Sequence, residues 1–203
     1  MKLISLLRIA TYTAIGIFFG ATLGALARGW MRIISDDPEF SWDGTLLIVG
    51  IFTVWGFTQG TVIGVRRITS RRWIVTLARV FGSVGLLALF FGAGAVMAPT
   101  VIFGGMAIHR KTWKSVARFL LGMIALIPVI VIAVQLNGEL GWSWRWLIGI
   151  FFFIAIYGSL ILASQKTFEK QIDGWRAPRR VKVFLAVGVM LAVALPSIGL
   201  GLR

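Results

Sequence analysis

The chain has 203 residues, 58% of them apolar and only 14% charged, with a mean hydropathy of +0.90. That balance excludes an ordinary soluble domain and implies an all-α polytopic membrane protein built as one integral membrane domain, 1–203. The 21 Lys and Arg against 7 Asp and Glu leave a net charge of +14, but no polar stretch is long enough to fold a recognition module, so no nucleic-acid partner is expected.

The first uncharged run, 9–27, can cross a hydrocarbon core of ~30 Å, which takes about 20 helical residues. Lys2 and Arg8 before it and Ala25-Leu26-Ala27 at its end also fit a secretory signal. The run exceeds the ~7–15 residues of a usual signal core, so a retained helix is expected. It carries Gly16, Gly20 and Gly24 at four-residue spacing, a single helix face on which a second backbone can approach closely.

The loop from Arg28 to Asp43 gathers Arg28, Arg32, Asp36, Asp37, Glu39 and Asp43. Arg28 and Arg32, one helical turn apart, suit a phosphate or carboxylate, and the acids suit a hard cation. The acids lack the spacing of a calcium loop, so no metal site is expected. Plain structure accounts for the same residues: Asp37 before Pro38 reads as a helix cap, Asp43 as the cap of the second span, and the remainder as ion pairs.

The second span, 44–65, repeats the glycine pattern with Gly56, Gly60 and Gly64. Packing of this helix on the first is the simplest use of the two faces; an oligomer interface or a substrate path are the functional ones. Gln59, the one strongly polar side chain near the middle of a span, suits either an interhelical hydrogen bond or a permeation path.

The stretch 80–108 holds 29 residues without a charge, too long for one upright helix. Its Gly82, Gly85, Gly92, Gly94, Pro99, Gly104 and Gly105 read as residues that bend a helix or reverse the chain. Two passes, 73–90 and 93–108, reversing at Phe90–Gly94, are expected, with Arg79 snorkelling to the headgroups; the alternative is five spans plus a re-entrant hairpin at 80–108. Further spans follow at 119–138, 146–165 and 183–202, the first of these containing Pro128 and the last Pro196.

With about seven spans and the N-terminus cytoplasmic, seventeen Lys and Arg fall inside and four outside. A single crossing of 80–108 would put nine inside and twelve outside, against the positive-inside rule. The net charge is therefore a topology signal, with the C-terminus outside and anionic headgroups on the cytoplasmic face as the natural partners of the loops 66–72, 109–114 and 176–182. Eight of the nine Trp, all but Trp55, lie at expected helix ends or in loops as an interfacial belt. The excess of Arg over Lys, fifteen against six, is compatible with a GC-rich bacterial source, and a bacterial inner membrane is the expected location.

No Asp, Glu, Lys, Arg or His sits well inside the spans other than the disputed pair, and there is no Cys and one His, His109. His109, between the membrane and Arg110, reads as an interfacial side chain. These absences disfavour buried-carboxylate proton transport, haem held by two histidines, and intramembrane hydrolytic centres, so neither a catalytic set nor a cofactor is expected. Three functions stay open. The foremost is a non-enzymatic accessory or assembly component packing on itself or a membrane partner through its glycine faces. The second is a transporter of an uncharged or lipid-like molecule through the Gln59 region, and the third a lipid-headgroup enzyme at loop 28–43.

Overall fold

The computed structural model describes residues 2–35, 41–91 and 98–169, and these form helices joined by short turns, with no strand among them. In order they are α1 (Lys2–Ile34), α2 (Trp42–Ile68), α3 (Arg72–Ala88, continued by a 3₁₀ turn at Leu89–Phe91), α4 (Ala98–His109), α5 (Ser115–Leu140), α6 (Trp144–Ala163) and the single turn α7 (Gln165–Phe168). Five of them, α1, α2, α3 with its 3₁₀ turn, α5 and α6, are long and apolar enough to span a membrane. α4, at 12 residues, covers only ~18 Å. Of the expected span 93–108, α4 covers 98–108; residues 92–97, which include 92–94 of the expected reversal, lie outside the described residues, and so does the whole of 183–202.

Local chemistry sets the helix ends. Ser41 caps α2, its hydroxyl oxygen accepting from the Gly44 amide at 3.0 Å, and Ser143 caps α6 by accepting from the Trp146 amide at 3.2 Å. The cap expected at Asp43 is therefore two residues earlier, at Ser41; Asp43 lies in the first turn, where a carboxylate still meets the positive end of the helix dipole. Gly141, at φ 60°, ends α5 in a conformation that suits glycine. Pro99 sits in the first turn of α4, where its missing N–H would have no helical acceptor. Hydroxyls along the spans are satisfied locally: Thr11, Thr22, Thr53, Thr61 and Thr76 each donate to the carbonyl four residues back.

α1 and α2 form an antiparallel pair with the most extensive interface in the bundle. α3 packs on α2, α4 on α5, and α6 reaches α1, α4 and α5. The centre is apolar, with Trp55, Val62, Val101, Phe153, Ile156 and Leu160 fully buried. α5 is the least covered of the long helices; it is tied to α4 by the buried Thr100 hydroxyl, which donates to the Ala125 carbonyl at 2.9 Å.

Candidate functional site

The polar side chains of the bundle collect mainly where α6 ends. The chain turns at Ser164, fully buried, whose hydroxyl donates to the Leu160 carbonyl at 2.8 Å, and then makes the single turn α7. Thr167 and Phe168 are buried among α2, α3 and α4. A helix leaves its last carbonyls without internal partners, and in an apolar bundle those oxygens need donors. Three elements supply them. His109, at the end of α4, donates through Nε2 to the Ile161 carbonyl at 3.0 Å, which fixes the proton on Nε2 because a carbonyl only accepts. Arg79 of α3 donates through Nε to the Thr167 carbonyl at 2.9 Å. Arg66 of α2 donates through Nη1 to the Lys166 carbonyl and, at 3.0 Å, to the Glu169 carbonyl. Cations aimed at a helix C-terminus also complement its dipole.

Gln59 belongs to this junction. It is only 3% exposed; its Nε2 donates to the Gly82 carbonyl at 2.9 Å, and its Oε1 accepts from the Thr167 hydroxyl at 2.6 Å. Glycines make the room. A Cβ at Gly82 would lie 2.5 Å from the Thr167 hydroxyl and 2.7 Å from Val62; one at Gly85 would strike Thr58, and one at Gly105 the Phe168 ring. These glycines, read from the sequence as bends, instead lie within helices and receive side chains from elsewhere in the chain.

Glu169 accepts from Lys166 Nζ at 2.6 Å and lies 3.9 Å from Arg66 Nη2. The Lys166 hydrogen bond, helped by the charges of Lys166 and Arg66 and opposed by burial, holds its carboxyl below the ordinary value of 4.5. Arg118 donates through Nε to the Ala107 carbonyl at 2.8 Å, closing the end of α4. Arg110 stands beside Trp113, its guanidinium carbon 5.4 Å from the ring centroid, and burial lowers its pKa. Its buried Nε makes no hydrogen bond.

At the opposite end of α6 the contacts are structural. Trp30 Nε1 donates to the Gly149 carbonyl at 2.7 Å, and Arg145 donates to the carbonyls of Ile33 and Ser35. Arg28 Nε donates to the Thr45 hydroxyl at 3.1 Å, tying α1 to the start of α2. Arg32 is exposed in the last turn of α1 and Asp43 is exposed in the first turn of α2. Asp36, Asp37 and Glu39, the other members of the expected ligand or ion-pair set, lie outside the described residues.

The glycines of the first two helices meet. A Cβ at Gly16 would collide with the Gly56 carbonyl and lie 2.8 Å from the Gly60 Cα; one at Gly20 would collide with the Phe52 carbonyl; one at Gly24 would lie 2.8 Å from the Val49 Cα. From the other side, Gly56 and Gly60 face the carbonyls of Gly16 and Tyr12, and Gly64 faces Ile9.

The sequence foresaw a polar role for Gln59 but placed His109 at the interface, whereas His109 is buried against α6. A usable signal was present: Arg79, Gly82 and Leu86 share a face of α3, two small or polar positions within an apolar helix. Among the described residues, no three His, Asp or Glu side chains come together as a metal-ligating group. Comparison with protein families, curated proteins and solved structures finds no match for the chain.

Proposed function

We propose that the chain is a non-enzymatic multi-pass protein of a bacterial inner membrane, an accessory or assembly component whose helices are locked together by glycine contacts and one polar junction. The observation that carries this reading is the use made of the polar side chains. Gln59, Arg66, Arg79, His109 and Glu169 are all engaged by other segments of the same chain, an arrangement suited to holding helix ends rather than to moving protons or a nucleophile.

Orientation follows the charges. In this reading, loops 66–72 and 109–114 and the 164–169 turn face the cytoplasm, α3 makes a full pass, and 93–108 returns across the membrane to give about seven spans. The shared hydrogen bonding of Arg66, Arg79 and His109 to 161–169 supports one common side for these ends. Since the glycine faces of α1 and α2 meet each other, a membrane partner would use another surface, and the outward face of α5 is the least covered.

The transporter reading is favoured by one feature: Trp55, fully buried one turn from Gln59, has an indole N–H without a hydrogen-bond acceptor. A path there would require the Gln59–Thr167 bond to open. Purification of the full chain in native lipid followed by mass spectrometry separates the two. A membrane protein retained in fixed ratio supports the assembly role; a retained small molecule, lost in Gln59→Leu, and no protein partner would support transport instead.

A further inference from the structure

We propose that Arg110, with the exposed loop Lys111–Lys114, binds the phosphate group of an anionic lipid. The inference rests on the orientation above, in which this end of the bundle meets the cytoplasmic headgroups.

Four observations converge. First, the neighbouring cations are already committed: Arg66 and Arg79 donate to the carbonyls of 166–169, and Arg118 to Ala107. Arg110 differs, because its buried Nε has no acceptor. A buried charged donor left unpaired is costly, and the acceptor that best relieves it is an anion able to take more than one N–H. Second, the surroundings favour an anion. Arg79 lies within electrostatic reach of both Arg110 and Arg66, and Lys111 and Lys114 stand exposed on the adjoining loop. Glu169, the carboxylate of this junction, is occupied by Lys166 and Arg66. Third, the Arg110 guanidinium carbon lies over the Trp113 ring, 5.4 Å from its centroid, a cation–π contact that holds the charge beside the indole. Fourth, Trp113 is itself 40% exposed, an indole at the end of the bundle where acyl chains give way to headgroups. Phosphate attached to a lipid satisfies all four: the oxygens meet Arg110 and the lysines, and the chains run past Trp113.

The test uses the purified full chain in mild detergent, reading thermal unfolding against added phosphatidylglycerol, phosphatidylcholine or inorganic phosphate. Phosphatidylglycerol should stabilise the protein at the lowest concentration, and Arg110→Gln should weaken that effect about fivefold, the factor that one charge near an anionic surface implies. Arg67→Gln, which removes an exposed cation bonded to Tyr12, should leave it unchanged. Should Arg110→Gln not fold, Arg110→Lys keeps the charge without the planar fork and should weaken the effect by a smaller factor. Equal responses to phosphatidylglycerol and phosphatidylcholine, or an unaltered response in both Arg110 variants, overturn the site. An Arg110-dependent response to inorganic phosphate alone overturns the lipid as its source. A micelle has no sides, so this result is independent of orientation, which a reporter after Lys114 reads separately.

Discussion

Trp30 sits near the end of an apolar helix, where a tryptophan normally floats at the membrane interface. Here its ring is buried, 5.5 Å from that of Phe153, and its N–H reaches the Gly149 carbonyl across 119 positions of sequence. Trp30→Phe keeps most of the ring packing and removes the hydrogen bond, so it should lower stability by about 1 kcal/mol in detergent unfolding. Trp144→Phe, at an exposed ring, serves as the control; equal stability of the two variants would contradict the role given to the Trp30 N–H. Glu169 makes a pH prediction. Its carboxyl is held below the ordinary 4.5, chiefly by Lys166, so its folded form binds a proton less readily than its unfolded form. The corresponding stability is fully present above the unfolded value and is lost as pH falls through the lower folded value. Melting temperature should therefore drop from about pH 4.5 downward in the wild type, and that part of the drop should be missing in Glu169→Gln. Identical acid profiles would sink the assignment.

At the scale of the element, glycine in a helix has two opposite meanings. In isolation it weakens the helix by about 1 kcal/mol relative to alanine; where two backbones touch, a Cβ has no place to go. Gly56 is of the second kind, with the Gly16 carbonyl in the path of any Cβ, whereas Gly29 and Gly50 have nothing within 4 Å. Gly56→Ala should destabilise the α1–α2 pair by about 1–3 kcal/mol, while Gly29→Ala and Gly50→Ala should be neutral or stabilising. Detergent-unfolding midpoints check this directly, and a common sign for the three would show that propensity outweighs contact. The four-residue spacing made Gly16 to Gly24 and Gly56 to Gly64 legible as faces, because helical periodicity is local. It did not reveal Gly82, Gly85 and Gly105 as sockets, because what fills them, Thr167, Thr58 and Phe168, comes from other helices.

For the whole molecule the decisive quantity is sidedness. Sorting charges by loop assigns 66–79 and 109–118 to one side, and the chain brings Arg66, Arg79 and His109 to a common segment, 161–169. A phosphatase or fluorescent reporter fused after Phe91 should report the outside and one after Lys114 the inside. A cytoplasmic signal after Phe91 would favour a re-entrant hairpin over two passes, and an external signal after Lys114 would overturn the orientation. The short α4 makes the first fusion the more informative, since a 12-residue helix does not by itself bridge a ~30 Å core.

Local composition alone fixes the environment of these helices: apolar windows of spanning length, with Arg79 the charge lying within one, are legible residue by residue, and a bilayer admits such windows only as helices. The first, second, third, fifth and sixth expected spans fall on long apolar helices, with α6 ending two residues early where Ser164 turns the chain inward. What the polar side chains do depends instead on how the helices pack. Gln59 and Thr167 are 108 positions apart, and no periodicity within either segment encodes that meeting. The reason is physical: hydropathy is set by a residue's own neighbours in sequence, whereas the partner of a buried donor is set by how distant helices cross, and in an apolar bundle that partner determines whether a cation closes a helix end or, as for Arg110, keeps a buried N–H without an acceptor.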